Sequence, residues 1–120
     1  MSNFITKIEN TEEKKVLKII FNTNIVYEIY VTENSDLTYE IYMLRNLVDK
    51  IKGNEKCTYS GKVLFADILY EPRTVFTSGH IIFYLFLDSP VRSVNIKVLN
   101  YDKLLENLED MIDNLIKLSA

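Results

Sequence analysis

The run from His80 to Asp88, His-Ile-Ile-Phe-Tyr-Leu-Phe-Leu-Asp, constrains the fold more than any other stretch of the chain. It is short and rich in β-branched and aromatic side chains, which favours a strand over a helix. Side chains alternate across a strand, so Ile81, Phe83, Leu85 and Leu87 share one face while His80, Ile82, Tyr84 and Phe86 share the other. Both faces are apolar. The expectation is a central strand with a layer packed above and below it, dry on both sides.

The remaining segments supply the elements around that strand. Residues 4–8 read as a short first strand, and residues 15–21 as a second. Asn22-Thr23-Asn24 is turn chemistry, and 25–32 is the returning strand of a hairpin. In that strand Ile25, Tyr27, Ile29 and Val31 point to the core. Glu33-Asn34-Ser35-Asp36 is a helix-start signal, with Asn34 or Ser35 as the cap and Asp36 at the positive end of the dipole. Leu37, Ile41, Leu44, Val48 and Ile51 then recur at helical spacing up to Gly53, a natural stop. The helix is expected over 36–52, with Glu40, Arg45, Asp49 and Lys50 facing water and Arg45 able to pair with Asp49. Residues 54–61 form a polar connection or a frayed strand start. Residues 62–70 form a second strand with apolar residues on both faces, 74–77 a short optional strand, and 93–98 a strand with one wet face near a sheet edge.

The clearest helical pattern comes last. Tyr101, Leu104, Leu105, Leu108, Met111, Ile112, Leu115 and Leu118 form one stripe, opened by Asn100 or Asp102. The order is β-β-β-α-β-(β)-β-β-α, and short turns make neighbouring strands antiparallel. The expected fold is therefore a single α+β domain over 1–120: a mainly antiparallel sheet of five to seven strands with two amphipathic helices. If both helices share one face of the sheet, the second apolar face of 62–70 and 80–88 needs another cover, such as a second copy or a partner protein.

Charge is unevenly placed. Residues 1–100 hold 12 basic and 12 acidic side chains, so the net charge of −3 comes entirely from the last twenty residues, with five acids against two lysines. Asp102, Glu106, Glu109 and Asp113 fall on one flank of the last helix, with Asp110 just beyond. No basic run marks the chain as a direct binder of nucleic acid. Cys57 is the single cysteine, the first residues lack the apolar core of a signal peptide, and no stretch reaches membrane-spanning length. The expected setting is cytoplasmic, away from the membrane.

No catalytic, metal or nucleotide motif stands out, and neither a metal nor a cofactor is expected. His80 is the only histidine, so no His–His metal pair exists. Its plainer reading is a strand-end residue. Asp67 interrupts an apolar run and would form an acid–base dyad with His80 if paired strands brought them together. Cys57, beside Lys56, has no defined catalytic partner. The eight tyrosines are unusual, and Tyr30 and Tyr42 are read as interface residues together with the five carboxylates.

No family pattern is present. The small α+β build with an acidic helix resembles, in architecture only, compact inhibitor and immunity proteins of bacterial toxin systems and phage-encoded antagonists of host defence. The leading expectation is a small non-enzymatic protein-binding module that inhibits a basic, nucleic-acid-handling protein. The alternatives are a homodimeric scaffold or subunit of a larger assembly and, third, a small enzyme or ligand-binding domain using Asp67 and His80.

Overall fold

A computed structural model describes residues 4–22, 24–32 and 36–119. The elements are β1 (Phe4–Asn10), β2 (Lys15–Phe21), β3 (Val26–Val31), α1 (Thr38–Lys52), β4 (Cys57–Ser60), β5 (Ala66–Glu71), β6 (His80–Leu85), β7 (Arg92–Lys97) and α2 (Tyr101–Ser119). All strand pairs are antiparallel. The expected α+β fold is present, and its seven strands divide into a three-stranded sheet β1-β2-β3 and a four-stranded sheet β4-β5-β6-β7.

Each sheet turns one apolar face inward. In the three-stranded sheet that face carries Phe4, Leu17, Ile19, Phe21, Tyr27, Ile29 and Val31, all buried. In the four-stranded sheet it carries Tyr59, Ala66, Ile68, Tyr70, Ile81, Phe83 and Leu85. Three phenylalanines join the two faces. The Phe83 ring lies 5.0 Å from Phe4 and 5.0 Å from Phe21, edge-on to both, the arrangement that ring quadrupoles favour.

Both helices pack on this inner side. Six of the eight stripe residues of α2 are buried, with Tyr101 and Leu105 partly so, and Asn100 opens the helix by accepting a hydrogen bond from Lys103 N at 3.0 Å. Asn114 Nδ2 donates to Thr6 Oγ1 at 2.8 Å and Lys15 Nζ to the Leu118 carbonyl at 3.0 Å, which anchors the C-terminal half of α2 on β1 and β2. Its first residue, Tyr101, meets Tyr70 of the other sheet edge-on at 6.5 Å. The helix therefore bridges the inner faces of both sheets, while α1 packs against α2 and β4.

Several local expectations change. The optional strand is not at 74–77, which is a turn closed by Thr74 N donating to the Thr77 carbonyl at 2.9 Å. A short strand lies instead at 57–60, inside the segment read as a polar connection or a frayed strand start, and meets the second of those readings. The strand expected to begin at 62 begins at Ala66, because Phe65 takes a left-handed backbone (φ 48°) that breaks the ladder. Asn34 and Ser35, the expected caps, lie outside the described residues. Leu37 takes the cap position without a side-chain cap bond; just before it, Asp36 Oδ1 accepts from Thr38 N at 2.9 Å, and that N–H bond holds its carboxyl below the ordinary value of 3.8. At the other end of α1, Gly53 keeps φ at −85° and Asn54 takes the left-handed position (φ 51°).

The central strand is the main correction. β6 ends at Leu85, and Phe86 and Leu87 are half exposed. Ile81, Phe83 and Leu85 are buried, but His80, Ile82 and Tyr84 are only partly so. Because both helices lie on the inner side, nothing in the described chain covers the second face. It is not the dry layer expected from apolarity alone.

Candidate functional site

The α2 flank exposes all five predicted carboxylates, Asp102, Glu106, Glu109, Asp110 and Asp113. They are partly compensated, which linear order did not show. Lys103 Nζ lies 3.4 Å from Glu106, and Lys52 Nζ on α1 lies 3.8 Å from Glu109. Exposed pairs of this kind contribute about 0–1 kcal/mol each, so they do not lock the flank shut. Among the described residues Asp102, Asp110 and Asp113 form no ion pair.

Where α1 runs beside α2 there is a groove of about 350 Å³. Val48 and Ile112 form its buried apolar floor, and Arg45, Asp49, Lys52, Glu109 and Asp113 line its rim. Arg45 and Asp49 do not pair with each other; both open onto this groove. Tyr42, 69% exposed, lies one helical turn before Arg45 on the outward side of α1. The structure thus brings Tyr42 into the same helical layer as the acidic flank. It does not bring Tyr30 there. Tyr30, 63% exposed, is on the outer face of the three-stranded sheet, cross-strand from the buried Val16, whereas α2 covers the opposite face.

Glu40, expected to face water, is fully buried. Its Oε1 accepts hydrogen bonds from Lys62 N at 2.6 Å and Val63 N at 2.7 Å. A carboxylate leaves water when charge-assisted backbone donors replace part of its hydration. This grip fixes the connection that precedes β5, and helical periodicity, which scores glutamate as an outward residue, gave no sign of it. Tyr59 Oη is also buried and makes no hydrogen bond. Burial, with the nearby Glu40 charge adding to it, raises the Tyr59 hydroxyl far above its ordinary range.

Asp67 and His80 do not form a dyad. They share the outer face of the four-stranded sheet, but Asp67 pairs with Tyr84 and His80 with Glu71. Four residues of strand, roughly 13 Å, separate the two positions. His80 Nδ1 lies 2.8 Å from Asn95 Oδ1, a bond within the sheet face. Burial pushes the Cys57 thiol up, away from the thiolate a nucleophile needs, and the Lys50 charge offsets this only in part. Among the described residues, no three His, Cys, Asp or Glu side chains converge to hold a metal ion, and no helix is long and apolar enough to cross a membrane.

One surface escaped the sequence reading, and another was foreseen only conditionally. Val75 and Phe76 stand 92% and 93% exposed at the tip of the 74–77 turn. Thr74 Oγ1 stiffens that turn by accepting from Phe76 N at 3.1 Å and Thr77 N at 3.0 Å. The threonine pair flanking two apolar residues was the available signal, but strand propensity masked it. The foreseen surface is the uncovered face of the four-stranded sheet. Its apolar centre was legible in 80–88, and its lack of cover follows from the case in which both helices share one side.

No protein-family model, curated protein or solved structure matches this chain.

Proposed function

We propose that the chain is a small, cytoplasmic, non-enzymatic protein-binding module of the inhibitor or immunity type, and that its helical layer takes a basic partner such as a nucleic-acid-handling protein. The observation that carries this reading is the α1–α2 groove. The apolar floor has a mixed rim, Asp49, Glu109 and Asp113 with Arg45 and Lys52, and its three carboxylates suit the stem and charged head of a Lys or Arg side chain that competes with Lys52 for Glu109. The outer carboxylates Asp102, Glu106 and Asp110 extend the negative field that would speed encounter with a positive surface. Tyr42 adds an aromatic side chain with a polar tip, a type enriched at protein interfaces. Tyr30 is not part of this surface.

The test compares the tagged wild-type chain with a Glu106→Lys, Glu109→Lys, Asp113→Lys variant as bait in nuclease-treated native lysate at low and moderate salt. The reading expects a stoichiometric basic protein that the wild type retains at low salt, loses as salt rises, and that the variant does not retain. Equal recovery by both baits at low salt contradicts it.

A further inference from the structure

The uncovered face of the four-stranded sheet repeats one arrangement along its midline. The β5–β6 register sets Asp67 beside Tyr84, Leu69 beside Ile82 and Glu71 beside His80. Just past the ladder, Phe86 N donates to the Phe65 carbonyl at 2.9 Å, and both rings are about half exposed. In each polar row the carboxylate stands on β5 and the group that can donate to it on β6. None of these side chains is buried, and among the described residues neither the Asp67 carboxylate nor the Tyr84 hydroxyl makes a hydrogen bond.

From this pattern we infer that the face is an isologous interface and that its occupant is a second copy of the chain. A two-fold axis lying between stacked sheets, parallel to the strands and over the β5–β6 midline, exchanges β5 with β6. Each residue of β5 then faces, in the second copy, the same residue type that it neighbours within its own sheet. Asp67 meets Tyr84, Glu71 meets His80, Leu69 meets Ile82 and Phe65 meets Phe86. The apolar centre closes on itself, Asp67 gains a donor, and Glu71, already 3.5 Å from Lys56 Nζ in its own chain, gains a second. Aligned sheets cross at about 30°, which keeps the central pairs opposed and splays only the corners.

This surface is on the far side of the sheet from the helical layer, so the inference stands or falls independently of the proposed basic partner.

The test is the solution mass of the full chain, measured by light scattering and sedimentation equilibrium over a wide concentration range. The inference expects twice the 14.1 kDa chain mass at high concentration. Ile82→Asp, at the centre of the face, should return the mass to that of one chain while the circular dichroism spectrum stays native. A rim exchange provides a second reading that does not touch the apolar centre: Glu71→Lys weakens association, and His80→Glu added to it restores the dimer. A single-chain mass at the highest concentration overturns the inference. So does a dimer that a folded Ile82→Asp chain retains, or that the Glu71→Lys change leaves untouched.

Discussion

The two sheets each leave one face uncovered by the rest of the described chain, and the two faces solve that exposure differently. Across the outer side of the three-stranded sheet, Lys7, Lys18 and Glu28 stand in register. Glu9 ties into the same surface through Lys18 at 2.9 Å and Lys14 at 3.0 Å. Those charges hydrate the middle of the face and protect its edges from other strands, while the row Ile5, Ile20 and Val26 beside them is apolar. On the four-stranded sheet the corresponding centre is Leu69, Ile82 and Tyr84, with Asp67 and Glu71 on either side of Leu69 and the polar Thr58, Ser60, Ser93, Asn95 and Lys97 on the flanking strands. One face carries charge across its middle. The other keeps a small apolar centre inside a polar rim, the build of an interface.

The inner faces set the scale against which this contrast can be broken. Phe83 is buried between Phe4 and Phe21, so Phe83→Ala should cost about 3–5 kcal/mol of stability in urea titrations. Ile82, its neighbour on the other face, should cost about 1 kcal/mol or less as Ile82→Ala in the single chain. Equal losses at low protein concentration would mean that the outer face is already covered within one chain.

The next largest effect lies in the connection between β4 and β5. Glu40→Ala leaves the Lys62 and Val63 N–H groups without their acceptor and should cost about 2–3 kcal/mol by thermal or urea unfolding. The surface-exposed Arg45 and Asp49, placed on the same helix, should change stability by only about 0.5 kcal/mol when replaced by Ala.

The tyrosines of the inner face sharpen the comparison further. Tyr70 Oη donates to Asn54 Oδ1 at 2.9 Å, so Tyr70→Phe should cost about 1 kcal/mol. Tyr59→Phe removes a hydroxyl that has no partner and should be neutral or stabilising. Burial raises both hydroxyls above the ordinary value of 10.0, and Tyr101 adds to the effect at Tyr70. The folded state therefore keeps protons that the unfolded chain releases above about pH 10. Stability should be flat with respect to these groups below that pH and fall above it. The fall should be shallower in Tyr59→Phe, as read from urea midpoints across the alkaline range.

The smallest effects belong to the hydrated surface. Asp36, hydrogen-bonded to Thr38 N, and Glu9, bonded to Lys18 and Lys14, titrate below their ordinary values of 3.8 and 4.5. Their contribution is present above those values and is lost as the pH falls through the lowered folded-state values. Asp36→Asn and Glu9→Gln should each flatten the acid limb of a thermal-midpoint profile slightly and leave neutral stability nearly unchanged.

The contrast also explains what the sequence could disclose. The α2 stripe was legible because eight apolar residues at helical spacing admit one reading. The alternation of Val94 and Ile96 likewise marked an edge strand, and β7 is one. The 80–88 run revealed two apolar faces but not which face the chain itself covers, since that depends on both helices docking on one side. Glu40 was misplaced because its partners are backbone groups more than twenty residues away, invisible to periodicity. For the candidate surface, the α2 carboxylates were found by spacing. The groove was not, because Val48 and Ile112 belong to different helices and look like ordinary core positions. Tyr30 and Tyr42 were grouped by residue type, and the fold separates them.

The most direct check on the unfinished face is the thermal midpoint of the wild-type chain as a function of its own concentration. If a second copy covers Leu69, Ile82 and Tyr84, the midpoint rises with concentration, as mass action requires when association favours the folded state. In Ile82→Asp it stays constant. A wild-type midpoint that does not move with concentration, in a chain that unfolds reversibly, would contradict the account.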